Sequence, residues 1–330
     1  MDSALVTKRA ESFSVTSVMR EPLYVVERFV NHYLSIGAER IVILWDGLPD
    51  ETMRSDLRTI ATEDKLTYYF CDDKFWKKAG LDQSSMALDD ILNAGFKFSY
   101  SNCETSWMLF CDSDEFLYFP NNIPKFLGRI PPDVASLRVR NLEAVWGPED
   151  DISRPFGSSY FRAPIEIPYL TKIICTLLLG RYARLSRGGA MGHFQGKHFL
   201  RNGLKDVEIT SHQSRKIAKG STTWAHMQPE PGSKMFVAHY DAISEERWVE
   251  KWRRRISKER ISDEMHWRRS SQGEMVAAAI RRGTTHELFA RLYGISRFQA
   301  WALRKMGLLT KVEVLTDNFS QYPKASKSEL

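Results

Sequence analysis

The run of five apolar residues from Ile41 to Trp45 is the strongest constraint on how this chain can fold. It reads Ile-Val-Ile-Leu-Trp and ends at the turn signal Asp46-Gly47. A strand that is apolar at every position needs cover on both of its faces. The run therefore predicts a strand buried inside a parallel sheet.

Strand-like and helix-like segments alternate through the first third of the chain. Strands are predicted at residues 13–19, 66–71 and 107–111, and helices at residues 22–36, 51–62 and 82–100. The first helix stops at Gly37, a residue type that commonly follows a helix end. This order predicts an α/β fold with a doubly wound, mostly parallel sheet flanked by helices. Ligands bind such sheets beyond the carboxyl ends of the strands.

The C-terminal part of the chain has a helical and basic pattern. The formal net charge is +6, and residues 246–330 hold 18 Lys and Arg against 10 Asp and Glu. Short strands are predicted before it, at residues 136–139 and 207–209, and helices over residues 244–309. We divide the chain into two halves of one α/β domain, residues 1–120 and 121–245, and a helical basic extension at residues 246–330.

Composition excludes several classes of protein. An apolar fraction of 43% and a charged fraction of 27% are near globular averages, which excludes disorder over most of the length. The most apolar stretch, residues 167–180, is too short to span a bilayer, and no secretory signal is visible. The four cysteines form no CxxC pair, so we expect no zinc ribbon and a reducing, cytoplasmic setting. The usual dinucleotide and P-loop motifs are absent from the sequence.

The strongest chemical signal is the acidic run that follows the strand predicted at residues 107–111. Asp112 and Asp114, spaced i and i+2, come directly after apolar residues and precede Glu115-Phe116. Where the chain leaves the extended form, both carboxylates can converge on one divalent cation. Oxygen ligands are those that Mg²⁺ and Mn²⁺ prefer. The run therefore predicts a metal site at the end of this strand.

The acidic run resembles the metal motif of GT-A glycosyltransferases, especially the family-2-like and family-92-like groups in which DxDEF recurs. Residues 19–32 resemble the opening block of that family, with Arg20 where Asn is usual. Weaker similarity covers residues 192–197, Ser211-His212 and Ala238-His239-Tyr240. The resemblance is clear over residues 13–120 and patchy to residue 251.

The resemblance implies roles for individual residues. It implies that Asp112, Asp114 and the late His239 hold Mn²⁺ or Mg²⁺, with His212 as the reserve ligand. The residues that it places at the nucleotide sugar are Arg20, Glu21, Asp46, Gln83, Ser113 and Lys197. Glu115 is expected to position the acidic loop. If transfer inverts the configuration at the anomeric carbon of the sugar, an acceptor-side carboxylate must act as general base. Asp150 or Asp151 is predicted to be that carboxylate.

The resemblance also implies an activity. It predicts a metal-dependent glycosyltransferase with a nucleotide-binding half (residues 1–120) and an acceptor-side half (residues 121–245). The donor would be a nucleoside-diphosphate sugar, and the acceptor a glycan or glycolipid of cell-surface polysaccharide synthesis. The basic extension is expected to allow peripheral contact with an anionic membrane at the inner face.

Other functions stay open. A binding-only relative of these enzymes would keep the fold, and a nucleic-acid-binding or polyanion-binding protein could act through the basic region. The acidic cluster argues against nucleic acid as the main partner. Phosphoryl transfer of the haloacid-dehalogenase type is disfavoured, because Phe116 stands where that motif needs Thr.

Overall fold

The structure, a computed structural model, describes residues 10–60, 62, 64–78, 81, 88–216, 225–229, 234–257 and 267–315. The strands are β1 (Phe13–Met19), β2 (Arg40–Asp46), β3 (Leu66–Cys71), β4 (Trp107–Phe110), β5 (Glu115–Tyr118), β6 (Val134–Val139), β7 (Asn141–Val145), β8 (Tyr160–Arg162), β9 (Lys197–Arg201), β10 (Val207–Ile209), β11 (Ser214–Lys216), β12 (Ala225–Met227), β13 (Phe236–His239) and β14 (Leu309–Lys311). The helices are α1 (Leu23–Ser35), α2 (Glu51–Leu57), α3 (Asp73–Lys78), α4 (Leu88–Ser101), α5 (Ile123–Leu127), α6 (Thr171–Leu179), α7 (Glu245–Ile256), α8 (Trp267–Arg282), α9 (Thr285–Tyr293) and α10 (Arg297–Lys305).

A seven-stranded sheet in the order β12-β6-β9-β4-β1-β2-β3 forms the larger layer of the fold. Strands β3, β2, β1 and β4 pair in parallel, and β12 is parallel to β6. Strand β9 is antiparallel to both of its neighbours, because the chain enters it at the carboxyl end of β4. The predicted mostly parallel α/β sheet is therefore confirmed, with one reversed strand.

Helices cover both faces of this sheet, as the apolar run of β2 requires. Ile41 and Ile43 pack in the same core cluster as the buried side of α1, whereas Val42 and Leu44 pack with α3 and α4 on the other face. Successive strand side chains point to opposite faces, so one continuous apolar run serves two cores. Helix α1 ends before Gly37, whose φ of +94° places it in the left-handed region.

A second, five-stranded sheet in the order β14-β8-β7-β13-β5 joins the first at its carboxyl edge. The chain passes from one sheet to the other between β4 and β5, across residues 111–114, and again between β6 and β7. Strand β13 pairs antiparallel with β5 and parallel with β7. The predicted acidic run is thus the crossing point between the two sheets.

The C-terminal helices pack on the second sheet. Trp146, which follows β7, shares a core cluster with Trp248, Trp252 and Phe289 from α7 and α9. Strand β14 then pairs with β8 and completes the sheet. None of the helices in the described ranges is long and apolar enough to cross a bilayer.

Most predicted elements of the first third agree with the structure. The strands at residues 13–19, 66–71 and 207–209 are confirmed as predicted, and the others shift by one or two residues at their ends. The helix predicted over residues 51–62 ends at Leu57, because i+3 hydrogen bonds from Arg58 and Thr59 tighten the last turn. Residues 82–87, predicted as the start of α4, lie outside the described part of the chain.

Replacing Gly95 by Ala tests how closely α4 approaches the sheet. A Cβ there would lie 2.6 Å from Val18 Cγ2, and the β-branched Val18 cannot turn away easily. We expect Gly95→Ala to lower the free energy of unfolding by about 1–3 kcal/mol in urea titrations. Gly273→Ala in α8 is the matched control, because its nearest neighbour would be 3.6 Å away. That variant should be neutral or gain up to about 1 kcal/mol, and an equal gain at Gly95 would contradict the close packing.

Candidate functional site

Ends of strands from both sheets meet at one buried cluster of polar side chains. Asp112 and Asp114 lie in the crossing between β4 and β5, and Glu115 is the first residue of β5. Lys197 begins β9, and His239 ends β13. In this way the two sheets bring together residues that are up to 127 positions apart in the chain.

The Lys197 ammonium group is fully buried between two carboxylates. Its Nζ lies 2.7 Å from Asp112 Oδ2 and 3.1 Å from Glu115 Oε2. Burial opposes the charged form of Lys197, but these two carboxylates raise its pKa above the ordinary value. Burial also works to raise the pKa of Asp112, yet the charge and hydrogen bond of Lys197 outweigh it and lower that pKa. The ion pair therefore stays charged at neutral pH.

Glu115 holds the acidic loop from the inside. Its Oε2 accepts a hydrogen bond from the Asp112 backbone N–H at 3.0 Å. Burial raises the pKa of Glu115 to about 7, against the opposing charge of Lys197. These contacts are those of a residue that positions the loop, the role predicted for it.

Asp114 faces the second sheet and α7. Its Oδ2 accepts a hydrogen bond from Lys251 Nζ at 3.0 Å, and its Oδ1 lies 3.9 Å from His239 Nε2. The Asp114 carbonyl accepts the Tyr240 backbone N–H at 2.8 Å. Lys251 also donates to the Asp241 carbonyl at 3.0 Å. Two of the three predicted metal ligands, Asp114 and His239, are thus neighbours.

Three imidazole rings form a row beside the carboxylates. The rings of His193 and His239 stack with centroids 4.9 Å apart, and His193 meets His212 at 4.4 Å. Burial lowers the pKa of His193 well below its ordinary value and lowers the pKa of His212 to about 4. His193 and His212 are therefore neutral near pH 7, the form in which imidazole binds metal ions.

Four buried polar atoms at this cluster have no hydrogen-bond partner among the described residues. They are Asp112 Oδ1, Glu115 Oε1, His193 Nδ1 and His239 Nδ1. One ligand atom from each of Glu115, His193 and His239 lies within 4.8 Å of the others. Because buried polar atoms are normally hydrogen-bonded, this concentration of carboxylate and imidazole atoms fits a divalent cation.

Glu143 of β7 positions the loop that carries His193. Its Oε1 accepts the backbone N–H groups of Met191 and Gly192 at 2.8 and 2.9 Å, and its Oε2 pairs with the buried Arg162 at 2.7 Å. A Cβ at Gly192 would lie 2.9 Å from His239 Cε1. Any other residue here would therefore have to shift the His239 ring or the loop.

Four of the residues predicted to contact a nucleotide lie along the carboxyl edge of β1, β2 and β4: Arg20, Glu21, Asp46 and Ser113. Glu21 pairs with Arg247 of α7 and accepts a hydrogen bond from Ser113 Oγ at 3.4 Å. Burial raises the pKa of Glu21, although Arg247 opposes the shift. Asp46 ends β2, and the side chain of Arg20 lies next to the following residue, Gly47.

The other two residues predicted to contact the nucleotide are Lys197 and Gln83. Lys197 is buried under the acidic loop, where it pairs with Asp112 and Glu115, and its contact with a phosphate stays a prediction. Gln83 lies outside the described residues.

The predicted general bases make hydrogen bonds within their own loop. Asp150 Oδ2 accepts the Gly147 backbone N–H at 2.7 Å, and its Oδ1 accepts the Ser159 hydroxyl at 2.6 Å. Asp151 is exposed and accepts a hydrogen bond from the Ser153 hydroxyl at 2.6 Å. These contacts do not connect either residue to the acidic loop, and the role of general base stays a prediction.

Sequence reasoning did not assign roles to His193, Glu143 and Asp241. His193 stands in the segment 192–197 that carried the weaker resemblance, so position in that block was the available signal. Glu143 lies in a short strand without a clear pattern. Asp241 accepts a hydrogen bond from Tyr293 at 2.7 Å, and despite its burial the charge of Lys251 holds its pKa well below the ordinary value.

No family model matches the sequence, and no curated protein does. Among solved structures, 191 chains match. HddC from Yersinia pseudotuberculosis is 10% identical with a TM-score of 0.35 over 69% of this chain and 93% of that chain. The mannosyltransferase Ktr4p from S. cerevisiae is 12% identical with a TM-score of 0.27 over 43% of this chain and 42% of that chain. Glucosyl-3-phosphoglycerate synthase from Mycobacterium tuberculosis is 10% identical with a TM-score of 0.27 over 58% and 57%.

The likeness to these solved structures is partial. The chain spans about half the length of the mannosyltransferase and of the synthase. At TM-scores of 0.35 and below, functional conclusions depend on the geometry of the site and not on the superpositions.

Replacing Glu143 by Gln tests the support of the His193 loop. The change leaves the buried Arg162 guanidinium without its counter-charge, so we expect a loss of about 3–5 kcal/mol in the free energy of unfolding. Glu208→Gln is the control, because Glu208 pairs with Arg215 on the exposed hairpin β10–β11. That variant should unfold at nearly the same urea concentration as the unchanged protein, because exposed ion pairs contribute little to stability. Equal losses would contradict a buried, structural role for the Glu143 pair.

Proposed function

We propose that this chain is a metal-dependent glycosyltransferase that uses a nucleoside-diphosphate sugar as donor and a glycan or glycolipid as acceptor. The observation that carries the proposal is the cluster of unpartnered carboxylate and imidazole atoms at the carboxyl edge of the sheet. Its place beyond β4 is where α/β sheets bind ligands. The resemblance of the acidic run to the GT-A metal motif supports the same reaction. We place the activity in the cytoplasm, in cell-surface polysaccharide synthesis.

The residues proposed to hold Mn²⁺ or Mg²⁺ are Asp112, Asp114 and His239, and the geometry adds Glu115 and His193 as neighbours. A divalent cation at this place would neutralise the negative charge that develops on a diphosphate leaving group. Asp112 and Glu115 keep their orientation through Lys197, and Asp114 keeps its orientation through Lys251. His212 stays the reserve ligand. Its Nδ1 is already in contact with the Gly196 carbonyl at 3.2 Å, which leaves Nε2 as the nitrogen that could bind a cation.

The donor nucleotide is proposed to lie along the ends of β1 and β2. Glu21 and Asp46 can accept hydrogen bonds from a base or ribose there, and Arg20 lies beside them. Ser113 connects this edge to the acidic loop through its hydrogen bond to Glu21. Lys251, partly exposed and 3.0 Å from Asp114, is positioned for a phosphate oxygen.

A second candidate is a metal-independent or binding-only protein of the same fold. The observation that favours it is that Lys197 and Lys251 already pair with the carboxylates of Asp112, Glu115 and Asp114. The partly exposed Lys251 could then bind a phosphate oxygen without a cation, as a point charge. The two candidates differ in whether nucleotide binding needs a metal ion.

Thermal unfolding with a panel of nucleoside diphosphates, with and without Mn²⁺, separates the two candidates. A ligand that binds only the folded state stabilises it by about 2.7 kcal/mol at one hundred times its Kd. We expect one nucleotide to raise the unfolding temperature only when Mn²⁺ is present. The variants Asp114→Asn and His239→Ala should lose this shift, each measured against its own unfolding temperature without ligand.

The exposed residues Asp133 and His286 provide matched controls. Asp133→Asn and His286→Ala change the same chemical groups away from the cluster and should keep the full shift. A shift that needs no Mn²⁺ and is lost in Lys251→Met would favour the second candidate. The absence of a shift with every nucleotide would contradict both.

A further inference from the structure

Exposed apolar side chains concentrate in two short segments of the chain. Ten large apolar side chains are exposed in the described residues, and seven of them lie within residues 169–177 and 298–306. We call these seven the apolar patch: Tyr169, Leu170, Ile173, Leu177, Phe298, Trp301 and Met306. Their exposed fractions reach 99% at Tyr169, 72% at Leu177 and 73% at Phe298. Scattered exposed apolar residues are ordinary, but a concentration of this kind marks an interaction site.

The two segments belong to one side of the molecule. The inner faces of α6 and α10 pack in a single core cluster, through Leu178 and Leu179 of α6 and Ala300 and Leu303 of α10. The same cluster holds Val145, Tyr160 and Leu309 of the second sheet, so α6 and α10 cover the same face of that sheet and their outer sides point away from it. The apolar patch therefore lies on one side of the protein.

Helix α6 is apolar on both of its faces. Leu170, Ile173 and Leu177 follow helical spacing on the outside, opposite the buried Cys175 and Leu178. Apolar residues on the outer side of a helix are normally covered. On α10 the rings of Phe298 and Trp301 stack outside the core, with centroids 5.9 Å apart. The outer faces of both helices therefore carry large apolar side chains of the kind that proteins normally bury.

The two segments that carry the apolar patch are rich in basic residues. Residues 166–187 and 296–306 contain seven basic side chains and one acidic side chain, Glu166. The basic residues, all exposed, are Lys172, Arg181, Arg184, Arg187, Arg297, Arg304 and Lys305. A partner that fits this surface is apolar at its centre and negatively charged around it.

We propose that the apolar patch docks on the surface of an anionic lipid bilayer. Leu, Ile, Phe and Trp side chains would enter the boundary between headgroups and acyl chains, and the basic residues would contact lipid phosphates. Tyr and Trp are enriched at this depth of a membrane. Helix α6 has nine residues, about 14 Å at 1.5 Å each, so it lies in the interface and does not span it. This proposal does not depend on the glycosyltransferase activity.

A second copy of the chain is a poorer occupant. A two-fold dimer would place the same patch on both sides of the interface, so the seven basic residues of each copy would face each other. Like charges in an interface are unfavourable unless acidic groups compensate them. Only Glu166 is available for this within the two segments.

Flotation with lipid vesicles tests the proposal on the full chain. Vesicles of phosphatidylcholine alone are compared with vesicles that also contain phosphatidylglycerol, at low and high salt. We expect binding to the anionic vesicles, weaker at high salt. The double variant Ile173→Asp and Leu177→Asp should bind at least about tenfold less, and Arg304→Glu with Lys305→Glu should also bind less.

Leu48→Asp is the matched control, since Leu48 is 57% exposed in the loop after β2 and lies outside the patch. It should bind vesicles as the unchanged protein does, and all variants should keep the same thermal unfolding temperature within a few degrees. Brominated acyl chains should quench part of the tryptophan fluorescence, and Trp301→Phe should remove that part.

Three results would overturn the proposal. One is equal binding to neutral and anionic vesicles. Another is unchanged binding of the Ile173→Asp and Leu177→Asp variant. The third is a dimer in sedimentation experiments that this variant dissociates while no vesicle binds.

Discussion

The buried ammonium group of Lys197 is the interaction on which the arrangement of the site depends. A charge that is fully buried must be paired, because an unpaired one costs several kcal/mol. Lys197 meets this requirement with Asp112 on one side and Glu115 on the other. The first residue of β9 is therefore tied to the crossing between β4 and β5, and the two sheets meet at a fixed place.

The reversed direction of β9 follows from the same tie. If β9 ran parallel to β4, its first residue would lie at the amino edge of the sheet, far from the acidic loop. The antiparallel register places His198 opposite Phe110, so Lys197 lies beyond the last residue of β4. Topology and electrostatics agree, because the chain leaves β4 at Asp112 and, after β5 to β8, enters the neighbouring strand β9 at the ion partner of Asp112.

The parts of the fold that could be predicted are those with a strong local pattern. Two short patterns were enough to predict their surroundings: the run from Ile41 to Trp45 and the acidic motif after β4. The strands of the second sheet are three to five residues long, and their faces are decided by partners far away in sequence. In the sequence, nothing separates Glu143 from an ordinary surface acid. Only the fold brings Arg162 and the His193 loop around it. Likewise, the sequence around Lys197 does not show that its side chain is buried, because that burial depends on the pairing of β9 with β4.

The unpartnered atoms at the site are a cost that packing alone does not explain. An unsatisfied buried polar group costs about 1–3 kcal/mol, whereas a whole domain is stable by about 5–15 kcal/mol. Four such atoms at one cluster would use a large part of that margin. The cation proposed for this site would offset that cost, because it would bind these carboxylate and imidazole atoms.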